Sequence, residues 1–366
     1  MNGIKKGQVR VCAPEHMPQV ADLFQTIFRG LSRPAPSSLQ QYLLELFFKS
    51  PSRDPELPSL VYVGSDEAVG GFLGVIPLRM SFRGKPIRAA LGSTLMVEKA
   101  KDNPFAGAAL LKAFLDGAQE LSFTDTANPI SGAMWKKRGG QLLPVESMQW
   151  WRVLRPAELA LSLLGERISL VKVARPICMA IDRVATPNRF QLKAKVAAHT
   201  IDVDLNGHFL IDYLRDFAAQ YSLGPIWDAD SLRWRLNHAA QNRRRGKLVC
   251  RAVYGEAAAP LGCYLYYRRP LGVADVLQLM TSPNGAGIVL ESLLEDAYQN
   301  RCVAVRGRTH SRYMDELLFH NCIFSGSGSV LLHSRSADLM EVACSGNALL
   351  IGLAGEDGTR LNDVFN

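Results

Sequence analysis

The feature that most limits what this chain can fold into is a plan written twice. Residues 8–12 alternate like a short strand, and Ala13-Pro14-Glu15 opens a helix with Met17, Val20, Phe24, Ile27 and Phe28 on one face. A second amphipathic helix carries Leu39, Tyr42, Leu43, Leu46 and Phe47, and strands follow over 60–63, 69–80 and 87–97. A loop at 99–106 leads into a helix with Leu110, Leu111, Phe114 and Leu115. Then come a strand over 121–125, a helix around 130–138 closed by Gly139-Gly140, and a last strand over 148–154. The order returns with a strand over 201–205, a helix over 207–221, and strands over 247–254, 261–267 and 273–280. A helix bearing Val289, Leu290, Leu293 and Leu294, a strand over 302–307, a helix over 311–321 and a strand over 329–333 complete it. The apolar helix positions and the strands after them superpose at an offset close to 180 residues. One repeat of that length is duplication of a whole domain rather than a solenoid. The rival reading is two ordinary α+β segments alike by chance. The expected architecture is α+β, with a mixed α/β sheet in each of two tandem domains, 1–156 and 199–366. A helical connector, 157–198, joins them, with helices at 157–164 and 167–185.

Composition agrees with two globular domains. The chain has 366 residues, 48% of them hydrophobic, which excludes a disordered, collagenous or disulfide-scaffold class. Seven dispersed cysteines with no CxxC spacing read as reduced thiols, and a cytoplasmic location is expected. Neither the cysteines nor the seven histidines form a ligand cluster, so no metal is expected. The basic N-terminal stretch has no apolar run behind it, and 156–181 is interrupted by Glu166, Arg167, Lys172 and Arg175. No signal peptide and no membrane span are expected. Charge is uneven: the first 183 residues hold 23 basic and 16 acidic side chains, the rest 19 and 18. An excess of +7 in the first half suits a polyanionic ligand there, though a merely basic surface would look the same.

The unit 91–125 joins a strand, a loop, a helix and a strand. A helix start after a strand presents unpaired N–H groups and a positive dipole end, a cradle for a pyrophosphate. Ala106, Gly107 and Ala108 would let a ligand approach the backbone, and Gly285-Ala-Gly287 repeats the device in the second copy.

This order of elements resembles the GNAT acyltransferases, over roughly 8–154 and more weakly over 200–353. The opening VRVCAPEHMPQVADLFQTIF is similar to their common start, and Arg138-Gly139-Gly140 to the end of their fourth helix. The resemblance implies an acyl-CoA co-substrate, acetyl-CoA or another, at the loop between the fourth strand and third helix. It implies Val97 N–H as the group holding the pantetheine and thioester, with Lys99, Lys101, Ala106, Gly107 and Ala108 around the cofactor. In the second copy Gly285 and Gly287 would serve. Departures are clear: the pyrophosphate loop keeps only Gly107 of its pattern, with Asp102 and Phe105 at two family positions, whereas the second copy keeps both glycines.

The family's helix-four tyrosine, which protonates the departing thiolate, falls on Trp135, whose indole is no proton donor for this purpose. In the second copy Tyr313 or His320 is nearest that place. The expected reaction is direct attack of an amine on the acyl carbonyl, with Glu98 or Asp125 as base. The bland readings of those carboxylates are a solvated strand end and a helix cap. The partners implied are a CoA thioester and an amine acceptor that the sequence does not identify; nucleic acid is not expected for this reading, and oligomeric state is hidden. Two alternatives stand: a FemAB-like transferase using aminoacyl-tRNA, whose RNA would suit the basic half, and a non-catalytic tandem domain that binds CoA or a partner. The basic run Arg243-Arg244-Arg245-Gly-Lys247 is read as a solvated loop.

Overall fold

The structure is a computed structural model that describes residues 7–98, 103, 105–164, 178–179, 181–182, 199–205, 207–255 and 259–365. Among these, the first half supplies β1 (Gln8–Val11), α1 (Met17–Arg29), α2 (Ser37–Phe48), β2 (Leu60–Val63), β3 (Val69–Phe82) and β4 (Lys85–Val97). It continues with α3 (Ala106–Leu115), β5 (Leu121–Ala127), α4 (Pro129–Lys137), β6 (Gln141–Leu143) and β7 (Met148–Val153). After α5 (Pro156–Leu164), Asp182 accepts hydrogen bonds from the backbone N–H groups of Ala157 and Glu158, capping that helix. The second connector helix expected over 167–185 falls largely outside the described residues. The second half has β8 (His199–Asp202), α6 (His208–Ala218), β9 (Leu223–Pro225), α7 (Ala229–Ala240), β10 (Lys247–Tyr254), β11 (Pro260–Arg268) and β12 (Val273–Thr281). It closes with α8 (Ala286–Gln299), β13 (Ala304–Arg308), α9 (Met314–Phe319), β14 (Ile323–Gly326), β15 (Ser329–His333) and α10 (Ala337–Cys344).

Two mixed sheets result. The first runs β1-β2-β3-β4-β5-β15-β6, with β9 on the far end of β3; the second runs β14-β7-β13-β12-β11-β10-β8. In each, one parallel pair (β4–β5 and β12–β13) sits among antiparallel ones. The halves exchange their final strands. β15, from the second half, lies between β5 and β6 of the first sheet, and β7, from the first half, lies between β13 and β14 of the second. The division of the chain between sheets therefore does not follow the order of the sequence.

Alternation explains why β15 is held so firmly. Val330 and Leu332 pack with α1, α2 and α10, while Leu331 faces the opposite side with α3 and α4. All three are fully buried, and each such side chain contributes roughly 1.5–3 kcal/mol. β7 is anchored similarly by Trp150, which is buried against Gly307. Helix α4 ends where the sequence places it, at Gly139 with φ +84, a left-handed backbone that glycine adopts without strain. The helix α7 was not foreseen, although Asp228 caps it through Ser231 N and Leu232, Leu236 and Ala239 give its buried face. Among the described residues no helix is long and apolar enough to cross a membrane.

A fragment of residues 1–156 lacks β15, so β5 keeps an open edge. It is expected to aggregate when expressed alone and to become soluble when residues 157–366 are co-expressed. Solubility and thermal melts of the two arrangements check this; an equally stable lone fragment contradicts the exchange.

Candidate functional site

The first sheet opens at one place. β4 and β5 pair only at Ala89↔Leu121, Ala90↔Ser122 and Leu91↔Phe123. Beyond these, β4 runs on against β3 as far as Val97, and β5 against β15 as far as Ala127. The divergence is written into β4, which carries one extra residue between Ser93 and Met96 relative to β3. Thr94 in that bulge has φ +48, a left-handed backbone uncommon outside glycine. Strain of this kind persists where surrounding structure enforces it, often at functional sites.

Between the diverging strands lies a cavity of about 620 Å³. Its walls come from β4 (Gly92, Thr94, Leu95), β5 (Thr124, Thr126), α4 (Ser131, Trp135) and the end of α1 (Phe28, Arg29). The remaining wall is from the far end of the chain: Arg244, Glu356, Leu361 and Asn362. The backbone N–H of Glu98 donates to Gly70 O on β3 at 2.8 Å. Successive N–H groups of a strand point to opposite sides, so that of Val97 faces the gap. A Cβ added to Gly107 would be 3.4 Å from Val97 Cγ2 and 3.6 Å from Met134 Cε, so the first turn of α3 stands directly beside Val97 and α4.

Glu356 is the ionisable group that the tail brings to this cleft. Thr126 Oγ1 donates to its Oε2 at 2.8 Å, while Oε1 has no hydrogen-bond partner among the described residues. Burial pushes its carboxyl above the usual range, against the pull of the Ser93 and Thr126 hydroxyls. Its backbone N–H donates to the Asp125 carboxylate at 3.1 Å. Gly355 is needed there, because a Cβ at that position would collide with Asp125 Oδ2. Asp125 is fully buried, and its own carboxyl is raised, first by burial and then by Glu356 and Asp357, against Arg308.

Three clamps fix the tail. Arg245 pairs with Asp357 and lies over the Tyr267 ring. Burial opposes ionisation of Asp357, but Arg245, then Arg308 and Arg306, hold its carboxyl below the ordinary range. Asp363 is fully buried and accepts from Arg243 N, Arg244 N and the Arg360 guanidinium. Arg29 donates to the carbonyls of Leu361 and Asp363. The basic run read as a solvated loop is thus the anchor of the C-terminal segment.

The second sheet diverges in the same way. β12 and β13 pair only at Val273↔Ala304, Ala274↔Val305 and Asp275↔Arg306, and β12 bulges between Val276 and Gln278. Here the gap is filled by the chain itself. Leu349, Ile351 and Gly352 enter it, Gln278 Oε1 accepts from Leu353 N at 3.0 Å, and about 30 Å³ remains, the share of one water molecule.

The residues singled out from sequence separate accordingly. Gly107 stands against Val97, with Ala106 and Ala108 in the same first turn of α3, but none of the four is among the residues lining the cavity. Lys99 and Lys101 lie outside the described residues. Glu98 is an exposed strand end, and Asp125 is turned toward the 355–356 backbone rather than into the cavity. Tyr313 is buried in the second cleft with its hydroxyl donating to Leu279 O at 2.9 Å. Gly285 faces the Leu261 carbonyl and Gly287 the Glu316 carboxylate, where side chains would clash. Trp135 is buried on α4 at the cavity wall. Glu356 was missed; its only signal was an acidic pair flanked by Gly355 and Gly358. Among the described residues, no group of three or more His, Cys, Asp or Glu is placed to hold a metal ion.

No protein-family model and no curated protein sequence matches this chain. Solved structures do. A probable N-acyltransferase from Enterococcus faecalis superposes with TM-score 0.59 at 13% identity, over 90% of this chain and 73% of its own. A GCN5-related N-acetyltransferase from Anabaena variabilis gives TM-score 0.59 at 12% identity with the same coverage. An N-myristoyltransferase from Saccharomyces cerevisiae, solved with bound myristoyl-CoA, gives 0.50 at 12%, over 90% and 79%. With two sheets that each open beside a bulged strand, and with likeness spanning nine-tenths of its length, the chain has the fold of the GCN5-related N-acetyltransferase superfamily.

Proposed function

We propose that this protein is an acyl-CoA-dependent N-acyltransferase whose working site is the cleft of the first sheet, with Glu356 as general base. The observation that carries this reading is a single carboxylate, Glu356, lining a gap of about 620 Å³ between diverging strands, with its Oε1 buried and without a hydrogen-bond partner among the described residues. Such a gap fits a pantetheine arm, with the donor's pyrophosphate at the start of α3 and its thioester carbonyl at Val97 N–H. The second cleft, plugged by its own chain, has no room for a donor. The structures that share the fold include enzymes named for acyl transfer, which agrees with the reaction class but not with any one acyl group; acetyl is the simplest donor to test.

The chain's part in the reaction follows from the cleft. Glu356 takes a proton from the attacking amine through its carboxylate, whose Oε2 Thr126 holds. Its raised pKa keeps it a stronger base than a solvated glutamate. Asp125 is a positioning residue, because it holds the Glu356 backbone. Trp135 donates nothing useful to the leaving group and need not. A thiol pKa of about 8.5 makes the CoA thiolate a good enough leaving group to depart unprotonated and to take its proton from solvent afterwards.

Acetyl-CoA at 100 times its Kd is expected to stabilise the protein by about 2.7 kcal/mol, read as a rise in melting temperature. No rise with acetyl-CoA or a longer acyl-CoA contradicts the proposal. Glu356→Gln is expected to lower kcat by about 10²–10⁴-fold, the usual range for a lost general base, with the acyl-CoA shift retained. Activity of the natural chain should climb with pH through a range above that of an ordinary glutamate, and this limb should vanish in the variant.

Asp125 supplies a separate test by stability. A carboxyl raised in the folded state stabilises fully below its unfolded pKa, and that contribution is lost as pH rises toward the folded value. Asp125→Asn keeps an acceptor for Glu356 N–H without a charge. The melting temperature of this variant relative to the natural chain is expected to increase between pH 5 and pH 8. A constant difference across that range counts against a raised Asp125.

A further inference from the structure

We infer that the acceptor is an amine that also carries an anionic group, a carboxylate or phosphoryl group, bound between Arg29 and Arg244 at the mouth of the first cleft. This inference rests on the reading of that cleft as an acyltransferase site and names the substrate class it leaves open. Among the described residues that line the cavity, the charged ones are Arg29, Arg244 and Glu356.

Both guanidinium groups line the cavity, Arg29 with its Nη2 on the Leu361 and Asp363 carbonyls and Arg244 with its Nη1 on the neighbouring Asn362 carbonyl, and Arg29 is held below its usual pKa, first by burial and then by Arg244, against Asp363. Asp363, the carboxylate that acts on Arg29, is already engaged, because it takes the Arg360 guanidinium and three backbone N–H groups. An anion between Arg29 and Arg244 would relieve that repulsion and meet donors suited to planar carboxylate or phosphate recognition. A polycation would meet the reverse, two like charges and a single carboxyl whose pKa is raised.

The donor's phosphates are not an alternative occupant of this pair. Arg29 closes α1, which packs on one face of the first sheet, whereas α3 packs on the other. An acyl-CoA seated at the start of α3 therefore reaches the cleft from the face opposite the arginines. Phe28 and Leu31 are exposed beside them, so an apolar spacer between anion and amine has a surface to lie on. The amine would then reach Glu356 while the anion stays at the rim.

The test uses the full chain with acetyl-CoA and reads free thiol. Four acceptors of matched length are compared: an ω-amino carboxylate, its carboxamide, an aminoalkyl phosphonate and a diamine. The carboxylate or the phosphonate, whichever geometry the arginines favour, is expected to exceed the carboxamide and the diamine by about tenfold or more in kcat/KM, the scale of one charge-assisted hydrogen-bonded pair. Arg244→Gln should raise KM for the anionic acceptor by about tenfold and erase its advantage, and Arg244→Lys should restore part of it. Thiol release that is equal for all four, greatest for the diamine, or no faster than without amine overturns the inference, as does an Arg244→Gln loss shared equally by all acceptors. The melting shift with acetyl-CoA separates the two levels: if it is present, only the substrate class fails; if it is absent, the acyltransferase reading fails and takes this inference with it.

Discussion

The exchange of final strands is the constraint on which the rest depends. β5 can part from β4 after Leu91↔Phe123 because its other edge is paired with β15 at Ser122, Phe123, Thr124 and, past a bulge, Ala127. Without that partner, a strand with two open edges would close onto β4 and erase the gap. Because β15 comes from the second half, the first cleft exists only when the whole chain has folded. The three side chains buried on both faces of β15 make this a stability requirement as well as a topological one.

The same exchange delivers the tail. From β15 the chain forms α10 in the core of the first sheet, then brings Leu349, Ile351 and Gly352 to the second cleft, and returns with Glu356 to the first. One segment thus fills one copy of the site and equips the other. Duplicated clefts become unequal by this route: the copy with better glycines, at Gly285 and Gly287, is the one that is plugged. The arginine run 243–245 then acts from the second half on the tail, through Asp357 and Asp363, and sets where Glu356 stands.

Much of the fold was legible because it is local. The period of apolar residues gives α1, α2, α3 and α8, alternation gives the long strands, and the repeat near 180 residues gives the doubled plan. The start of α3 beside Val97 was legible for the same reason, since strand, loop and helix are consecutive. The carboxylate was not. Asp125 and Glu98 looked like the candidates because they end strands at the gap, and nothing local shows that Asp125 turns toward a backbone N–H 231 positions away.

What the sequence determined by itself is most of the long helices and strands and their order, because periodicity, turn residues and helix stops act over a few residues. What only the tertiary structure decided is which strand joins which sheet, which cleft stays open, and which carboxylate stands in it. β7 and β15 are both short strands whose hydrogen-bond ladders carry no sequence information about which sheet they join, so long-range packing makes the choice. Glu356 becomes chemically distinct only when Thr126, Asp125 and Arg245, far apart in the chain, close around it and its neighbour Asp357.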